Sequence, residues 1–406
     1  MPIVRIGPAT GKLSDVSKAA ADDVETATAA LRSAGTNGVL VTPDKLLSTS
    51  ITNLNLAFSG NPYGGILAGS YYLWVGDSDS GKTYCGLAAL AEASIDPKFD
   101  GYRLIYNNRE AGALMDIATH YGSKLAKRLE QPEHVVKKVK ERRASRTVEE
   151  WYDHLDALIK AGKPFIEVMD SEASLSSEAE EKKNRINASI RSGTRKPAKG
   201  EEGVGGDYGD NKAKIHSRRM RSVVDGLAST GSILFVLTQT RDKIGFGAMP
   251  GAKSRAGGWA LSFYATVEVW SKVKMRIEKA VNGKNRHLGN LCEMSVRRTR
   301  LTGRKLAVTV PIYFKTGIDD TGACCAWLVD EKHWKGTWDR KQPLPTDVEA
   351  PEFDYKGPFY GLVKLIQTGT PKERAANEKK LRQLVHRVWL DIEDQCQIDG
   401  LVRRYS

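Results

Sequence analysis

Short apolar, β-rich runs alternate with longer segments of helical period along most of this chain. YYLWVG (71–76), YRLIYNN (102–108), PFIEVMD (164–170), SILFVLTQ (232–239) and ATVEVW (265–270) are dominated by apolar and β-branched residues. Such runs fit strands covered on both faces. Between them, Thr147 to Ala161 and Lys212 to Ala228 read as helices. Strands that alternate with helices predict an α/β fold with a mostly parallel central sheet. Upstream, an Ala-rich helical pattern from Ser14 to Ser33 predicts an N-terminal arm over residues 1–45 that packs one protomer on another. Two segments break the rhythm: Ser189 to Asp210, and RDKIGFGAMPGAKSRAGG from Arg241 to Gly258. Both are long, basic and glycine-containing, and loops of that length inside a compact domain usually carry function. After Asp330 a Pro-containing connector, QPLPTDVEAPEF, leads to a charged helical tail. The expected organisation is therefore a core over 46–335 and a small helical C-terminal domain over 350–406.

Composition narrows the function. With 406 residues, 40% of them apolar, the chain can bury a large core, and low-complexity or collagen-like architectures are excluded. No apolar run approaches the ~20 residues that span a bilayer, and MPIVRIGPATGKLSD has no apolar signal region. The protein is expected in the cytoplasm, bacterial or phage-infected, with no membrane partner. Five cysteines, Cys85, Cys292, Cys324, Cys325 and Cys396, show no CxxC spacing, and Cys324 and Cys325 lie in the apolar run ACCAWLV. They read as core residues, and the scattered histidines offer no metal pattern. The net charge of +13 points to a polyanionic partner. Nine basic residues face three acids over Ser123–Thr147, read as a solvated helix face, and twelve face four over Lys182–Arg221.

The strongest local signal is Gly76-Asp77-Ser78-Asp79-Ser80-Gly81-Lys82-Thr83, a GxxxxGK[ST] octamer between a strand and the helical run YCGLAALAEAS. Glycines let the backbone wrap phosphates, successive N–H groups and a helix N-terminus face negative charge, Lys82 reaches the β/γ-phosphates, and Thr83 ligates Mg²⁺. The ligands expected are ATP and Mg²⁺. A second carboxylate for the metal is Asp170, at the end of PFIEVMD, where open α/β sheets bind ligands. For orienting and deprotonating water, Glu110 and Glu172 are both candidates, and the residue pattern leaves both open.

Several ordered motifs resemble the RecA family of recombinases, including phage UvsX-type relatives, from roughly Leu46 to Leu328. They are LSTSITNLNLAF, GDSDSGKT, VMDSEASL, ILFVLTQTRDKIG, GGWALSFYATVEVW and the basic SVRRTRL. The resemblance implies a DNA-dependent ATPase that forms helical filaments on single-stranded DNA and exchanges strands with homologous double-stranded DNA. A single-strand-binding protein or a loader would assist it. It implies that Glu110 activates water, that Gln239 senses the γ-phosphate, and that Arg298 and Arg300 reach the nucleotide of the adjacent protomer. Arg241–Gly258 then resembles DNA-binding loop L2, and the Gly/Lys/Arg segment before Lys212 resembles L1. Lys214, Ser217, Arg221, Arg241, Lys243, Gly257 and Gly258 would contact the strand, with Ile244 or Phe246 as a wedge between bases and Met249 as an alternative. Alternatives are a ring-forming helicase of the same fold and a nucleotide-switched recombination mediator.

The chain also departs from the family pattern. Asn107 and Asn108 stand where an acid is common, and Glu110 is displaced by about one residue. Trp259 follows the glycine pair in place of a small polar residue, and no aromatic clearly matches the adenine-stacking one. Asp116 is assigned to the adenine side, with His120 or Tyr121 as alternatives. The chain ends in LVRRYS rather than an acidic tail. DNA loading is therefore expected to depend less steeply on magnesium than in acidic-tailed relatives; a magnesium titration of DNA binding with the same steep requirement would contradict this.

Overall fold

The computed structural model describes residues 42–111, 115–194, 208–242, 253–255 and 258–396. The described residues from Pro43 onward gather into one compact unit. The N-terminal arm lies outside the described residues as far as position 41. Among the described residues the main sheet has ten strands, of which seven are long: β1 (Tyr71–Gly76), β2 (Arg103–Asn108), β3 (Phe165–Asp170), β4 (Ile233–Asp242), β5 (Val267–Val281), β6 (Lys284–Thr299) and β7 (Ala307–Tyr313). Their order is β7-β6-β5-β1-β4-β3-β2, with the short strands Gly317–Ile318 and Leu129–Glu130 at the two edges. From β5 to the Leu129–Glu130 edge all neighbours run parallel, whereas β6, β7 and Gly317–Ile318 join antiparallel. This is the α/β fold with a mostly parallel sheet that the alternation predicts, and it is consistent with a RecA-type core.

Strand periodicity explains how the sheet is covered. Tyr72 and Trp74 of β1 face one core with helix α1 (Thr52–Ser59) and helix α2 (Lys82–Ile95). Tyr71, Leu73 and Val75 face the opposite core with α3 (Val148–Lys160). Alternate side chains point to opposite faces, so a fully buried strand must be apolar throughout. Helix α2 lies close to β3 because Gly86 has no side chain; a Cβ there would sit 2.9 Å from Val168 Cγ1. Helices α5 (Tyr208–Thr230) and α6 (Gly258–Tyr264) complete the core, while α4 (Glu178–Arg191) buries no residue. Residues 195–207 between α4 and α5 lie outside the described residues, as do 243–252 and 256–257.

Two expectations change. The basic stretch 123–147 is not one helix face: a short helix, Ser123–Arg128, gives way to the edge strand and then to a hairpin, Glu133–Val136 paired with Val139–Arg142. β-Branched Val135, Val136 and Val139 around a two-residue turn favour the ribbon. The C-terminal layer also begins before residue 350, with α7 (Asp320–Asp330). Cys324, Cys325 and Leu328 of α7 share a core with Trp334, Leu344, Val348 and helices α8 (Phe359–Gln367) and α9 (Pro371–Gln395). The QPLPT part of the connector lies between strands Lys335–Thr337 and Asp347–Ala350 of a small antiparallel sheet. Apolar residues on both sides of it fill one core.

Candidate nucleotide and nucleic-acid site

Chain reversal after β1 forms the candidate phosphate loop, Gly76–Thr83. Gly81 adopts φ +86°, and a Cβ there would lie 2.5 Å from Ile312 Cδ1, so glycine is required by both conformation and space. At Gly76 a Cβ would meet Ser271 Oγ at 2.3 Å. Ser80 Oγ donates to the Asp77 carbonyl and lies 2.9 Å from Ser271 Oγ, which ties the loop to β5. The Lys82 ammonium donates to the carbonyls of Gly76 and Asp77 at 3.0 and 2.6 Å. Burial lowers its pKa, opposed by the charges of Asp170 and Glu110.

The strand register brings the acids to this loop. Asp170 Oδ2 accepts from the Thr83 hydroxyl at 2.7 Å and from the Tyr106 hydroxyl at 2.9 Å. Its other oxygen, Oδ1, is buried without a partner among the described residues. A buried carboxylate oxygen left unpaired is costly, and a divalent cation beside Thr83 would satisfy it. The donor set, one hydroxyl and one carboxylate at a phosphate loop, fits Mg²⁺, which takes few protein ligands and several waters. Burial raises the Asp170 pKa and the Glu110 charge adds to that, while the hydrogen bonds from Thr83 and Tyr106 oppose it. Bound positive charge would favour the ionised form.

Glu110 and Glu172 part company. The Glu110 backbone N–H donates to the Asp170 carbonyl at 2.9 Å, and its exposed carboxylate accepts from Gln239 Nε2 at 2.5 Å. Both side chains line a cleft of about 340 Å³ with Lys82, Thr83 and Asp170. Glu172, in contrast, is fully buried. Its carboxylate accepts from His216 Nε2 at 3.0 Å, pairs with Lys212 at 3.1 Å and accepts from Thr238 Oγ1 at 3.2 Å. Burial would raise its pKa, but the His216 hydrogen bond and the charges of His216 and Lys212 outweigh that and hold it well below the ordinary carboxylate range. A shielded, partnered carboxylate cannot take a proton from water in the cleft, whereas the Glu110 carboxylate lines it.

Asp116 is placed away from the cleft lining. Its carboxylate caps the short helix Ile117–Tyr121, accepting from the Ala118 N–H at 2.9 Å and the Thr119 hydroxyl at 2.5 Å. The cleft is instead lined by Tyr84, Met115, Asn290, Ile312 and Phe314. Tyr84 adjoins the octamer and was within reach of sequence reasoning. Asn290 and Phe314 come from β6 and the end of β7, and no local pattern marks them. Arg298 and Arg300 do not line the cleft. Arg298 Nη1 donates to the Ser262 and Phe263 carbonyls at 2.8 and 3.1 Å, and Arg300 also donates to the Phe263 carbonyl.

The two ends of the L2-like segment meet the Gly76–Thr83 loop. Lys253–Arg255 pairs antiparallel with Thr240–Asp242 at the end of β4, so the two ends of the L2-like segment form a ribbon. Asp77 of the phosphate loop touches both ends: it accepts from the Thr240 hydroxyl and from Lys253 Nζ, the latter at 2.5 Å. Burial opposes its charge, but Lys253 and Thr240 outweigh that and lower its pKa. Lys214, Ser217 and Arg221 occupy exposed positions on one side of α5, as their spacing predicts, and Arg241 is exposed at the end of β4. Gly258 adopts φ +73°, and a Cβ there would lie 2.9 Å from Ala213 Cβ, so α6 starts in close approach to α5. Lys243, Ile244, Phe246, Met249 and Gly257 lie outside the described residues.

The chain is 25% identical to the RecA protein of Streptococcus gordonii over 219 residues, 48% of this chain and 56% of that protein. It is 25% identical to the RecA protein of Helicobacter acinonychis over 285 residues, 68% of this chain and 67% of that protein. Against the chromosomal RecA protein of Lactococcus lactis the figures are 27% over 143 residues, 33% of this chain and 36% of that protein. The chain is RecA-like. It spans between about a third and two thirds of the length of these curated relatives. These RecA-like matches do not single out the UvsX-type branch, and no family model matches the chain. Among the described residues of the RecA-like core and its neighbours, no helix is long and apolar enough to cross a membrane.

Glu172→Gln should destabilise the protein by about 3 kcal/mol in urea unfolding at pH 7, because it removes the charge that pairs buried Lys212. Wild-type stability combined with lost ATP hydrolysis would instead mark Glu172 as the base.

Proposed function

We propose that this chain is a DNA-dependent ATPase that polymerises on single-stranded DNA and pairs it with a homologous duplex for strand exchange. The observation that carries the reading is the position of Gln239. One strand end gives a side chain to Glu110 in the nucleotide cleft and, within the next three residues, becomes the stem of the basic L2-like segment. Asp77 adds a second link, from the phosphate loop itself to both stems. Occupancy of the cleft by a triphosphate would therefore bias how that segment is held, and strand binding would bias the cleft in return.

The chemistry follows from the side chains. Lys82 and the loop N–H groups bind the phosphates, and Lys82 must leave the carbonyls of Gly76 and Asp77 to do so. Thr83 and Asp170 would hold Mg²⁺, which supplies charge neutralisation at the phosphate oxygens when bound. Glu110 accepts a proton from the attacking water, and Gln239 orients the Glu110 carboxylate. Arg298 and Arg300, which do not line their own cleft, serve the nucleotide of the next protomer as arginine fingers. A head-to-tail contact of this kind that does not close generates a helical filament. Strand identity is read by base pairing, so basic segments that grip phosphates suffice on the protein side.

Electron microscopy with single-stranded DNA and a non-hydrolysable ATP analogue tests the reading: helical filaments support it, closed rings would support a helicase, and isolated protomers would support a mediator. Lys82→Ala should abolish ATP turnover, and Glu110→Gln should lower kcat by ~10²–10⁴-fold while nucleotide binding persists. Wild-type rates in either variant contradict the assigned site. Arg298→Ala protomers mixed with Glu110→Ala protomers should recover part of the hydrolysis each lacks. No recovery at any mixing ratio would count against catalysis across the interface.

A further inference from the structure

The basic hairpin at the sheet edge has no part in the scheme above. It follows the strand Leu129–Glu130, which runs parallel to β2, so it leaves the sheet at the end where β2, β3 and β4 deliver Glu110, Asp170 and Gln239. Glu133–Val136 pairs with Val139–Arg142 in the register Glu133↔Arg142 and Val136↔Val139. The turn between them is Lys137-Lys138.

That turn has unusual chemistry. Lys137 and Lys138 have φ +49° and +70°. A two-residue turn with positive φ at both positions favours Asn-Gly, because a β-carbon is disfavoured in the left-handed region. Lysine at both places serves the turn poorly, and what the pair contributes is charge at the tip. Both are exposed, and neither forms an ion pair among the described residues. Lys140 and Arg142 continue the charge along one face. They share a single carboxylate, Glu133, at 2.7 and 3.9 Å, and their side chains remain 72% and 70% exposed. Val135 and Val139 are also uncovered, at 69% and 61% exposure.

The base, in contrast, is fixed. His134 is buried, with Nε2 3.4 Å from Ser145 Oγ. Asn107 of β2 donates to Ser145 Oγ at 2.9 Å and accepts from its N–H at 3.0 Å. Arg143 forms a two-pronged pair with Glu150 at 2.8 and 2.9 Å. A charged tip on a rigid stem is thus tied to the strand that leads to Glu110. The edge strand Leu129–Glu130, from which the hairpin departs, stands three strand positions from β4, roughly 14 Å across the sheet.

We propose that this hairpin is a separate contact for double-stranded DNA, gripping the phosphate backbone of the incoming duplex through Lys137, Lys138, Lys140 and Arg142. The proposal rests on the reading of the chain as a DNA-dependent ATPase and adds a second place where DNA is held. Charge complementarity selects a polyanion, and the shape selects a duplex, since the major groove of B-DNA admits a two-stranded β-ribbon flanked by phosphates on both sides. The lateral offset from the L2-like stems leaves the first strand to the central segments.

The test uses the full chain assembled on an unlabelled single strand with a non-hydrolysable ATP analogue. Binding of a fluorescent duplex is followed by anisotropy across a salt series. One variant combines Lys137→Glu with Lys138→Glu; the other combines Lys137→Asn with Lys138→Gly, which removes the charges while suiting the turn better. For both, duplex affinity should fall about tenfold or more near 0.1 M salt. For the neutral pair, the slope of log affinity against log salt should become shallower by about 2, the loss of two phosphate contacts. ATP hydrolysis stimulated by single-stranded DNA should stay within twofold of wild type. Unchanged duplex affinity in the Asn-Gly variant overturns the proposal, and so does a parallel loss of single-strand-stimulated hydrolysis, which would place the hairpin in the first strand's site. Wild-type protein that shows no DNA-stimulated hydrolysis defeats the ATPase reading itself, independently of either variant.

Discussion

The register of four parallel strands governs everything that happens at this site. Gly76 of β1 lies opposite Gln239 of β4, Leu237 of β4 opposite Asp170 of β3, and Asp170 opposite Asn108 of β2. One end of the sheet therefore presents the Gly76–Thr83 loop, the Asp170 carboxylate and the polar pair Glu110–Gln239 together. Because side chains alternate with a period of two, a slip of one residue in any of these strands would turn its functional group to the wrong face. Burial on both faces prevents such a slip, since the apolar side chains of β1 fill two different cores. The same packing that stabilises the sheet thus sets the distances in the cleft.

Three polar links extend that precision outward. Asp77 reaches both stems of the L2-like segment, Gln239 meets Glu110, and buried Glu172 holds Lys212 and His216 of α5. The Glu172 link is the most enclosed, and a fully satisfied buried network of this kind fixes geometry. It ties the turn after β3 to the helix that carries Lys214, Ser217 and Arg221. Helix α6 then abuts α5 at Gly258 and Ala213, and its last carbonyls accept from Arg298 and Arg300. Residues assigned to nucleotide, strand and neighbouring protomer thereby sit on elements in direct contact.

Charge was harder to interpret along the sequence than apolar pattern. Over Ser123–Thr147 the count of basic residues is evident, but its meaning depends on shape: a helix face would spread those charges, whereas the hairpin gathers four of them near one tip. Asp116 shows the same limit. An Asp before a short helical run is equally suited to a ligand and to the helix cap it forms, and only the fold shows which groups surround the cleft.

By itself the sequence determined the α/β alternation, the phosphate loop with Lys82 and Thr83, the strand-end Asp170 and the exposed spacing of Lys214, Ser217 and Arg221. These follow from local rules: period-two and helical patterns, glycine at a positive φ, and an acid where a buried strand ends. Tertiary structure alone separates Glu110 from Glu172, because the two differ in burial and partners rather than in residue type. It also decided that Tyr84, Asn290 and Phe314 line the cleft and that the C-terminal layer starts at α7. Those outcomes depend on contacts between residues distant along the chain, and no pattern within a single element records them.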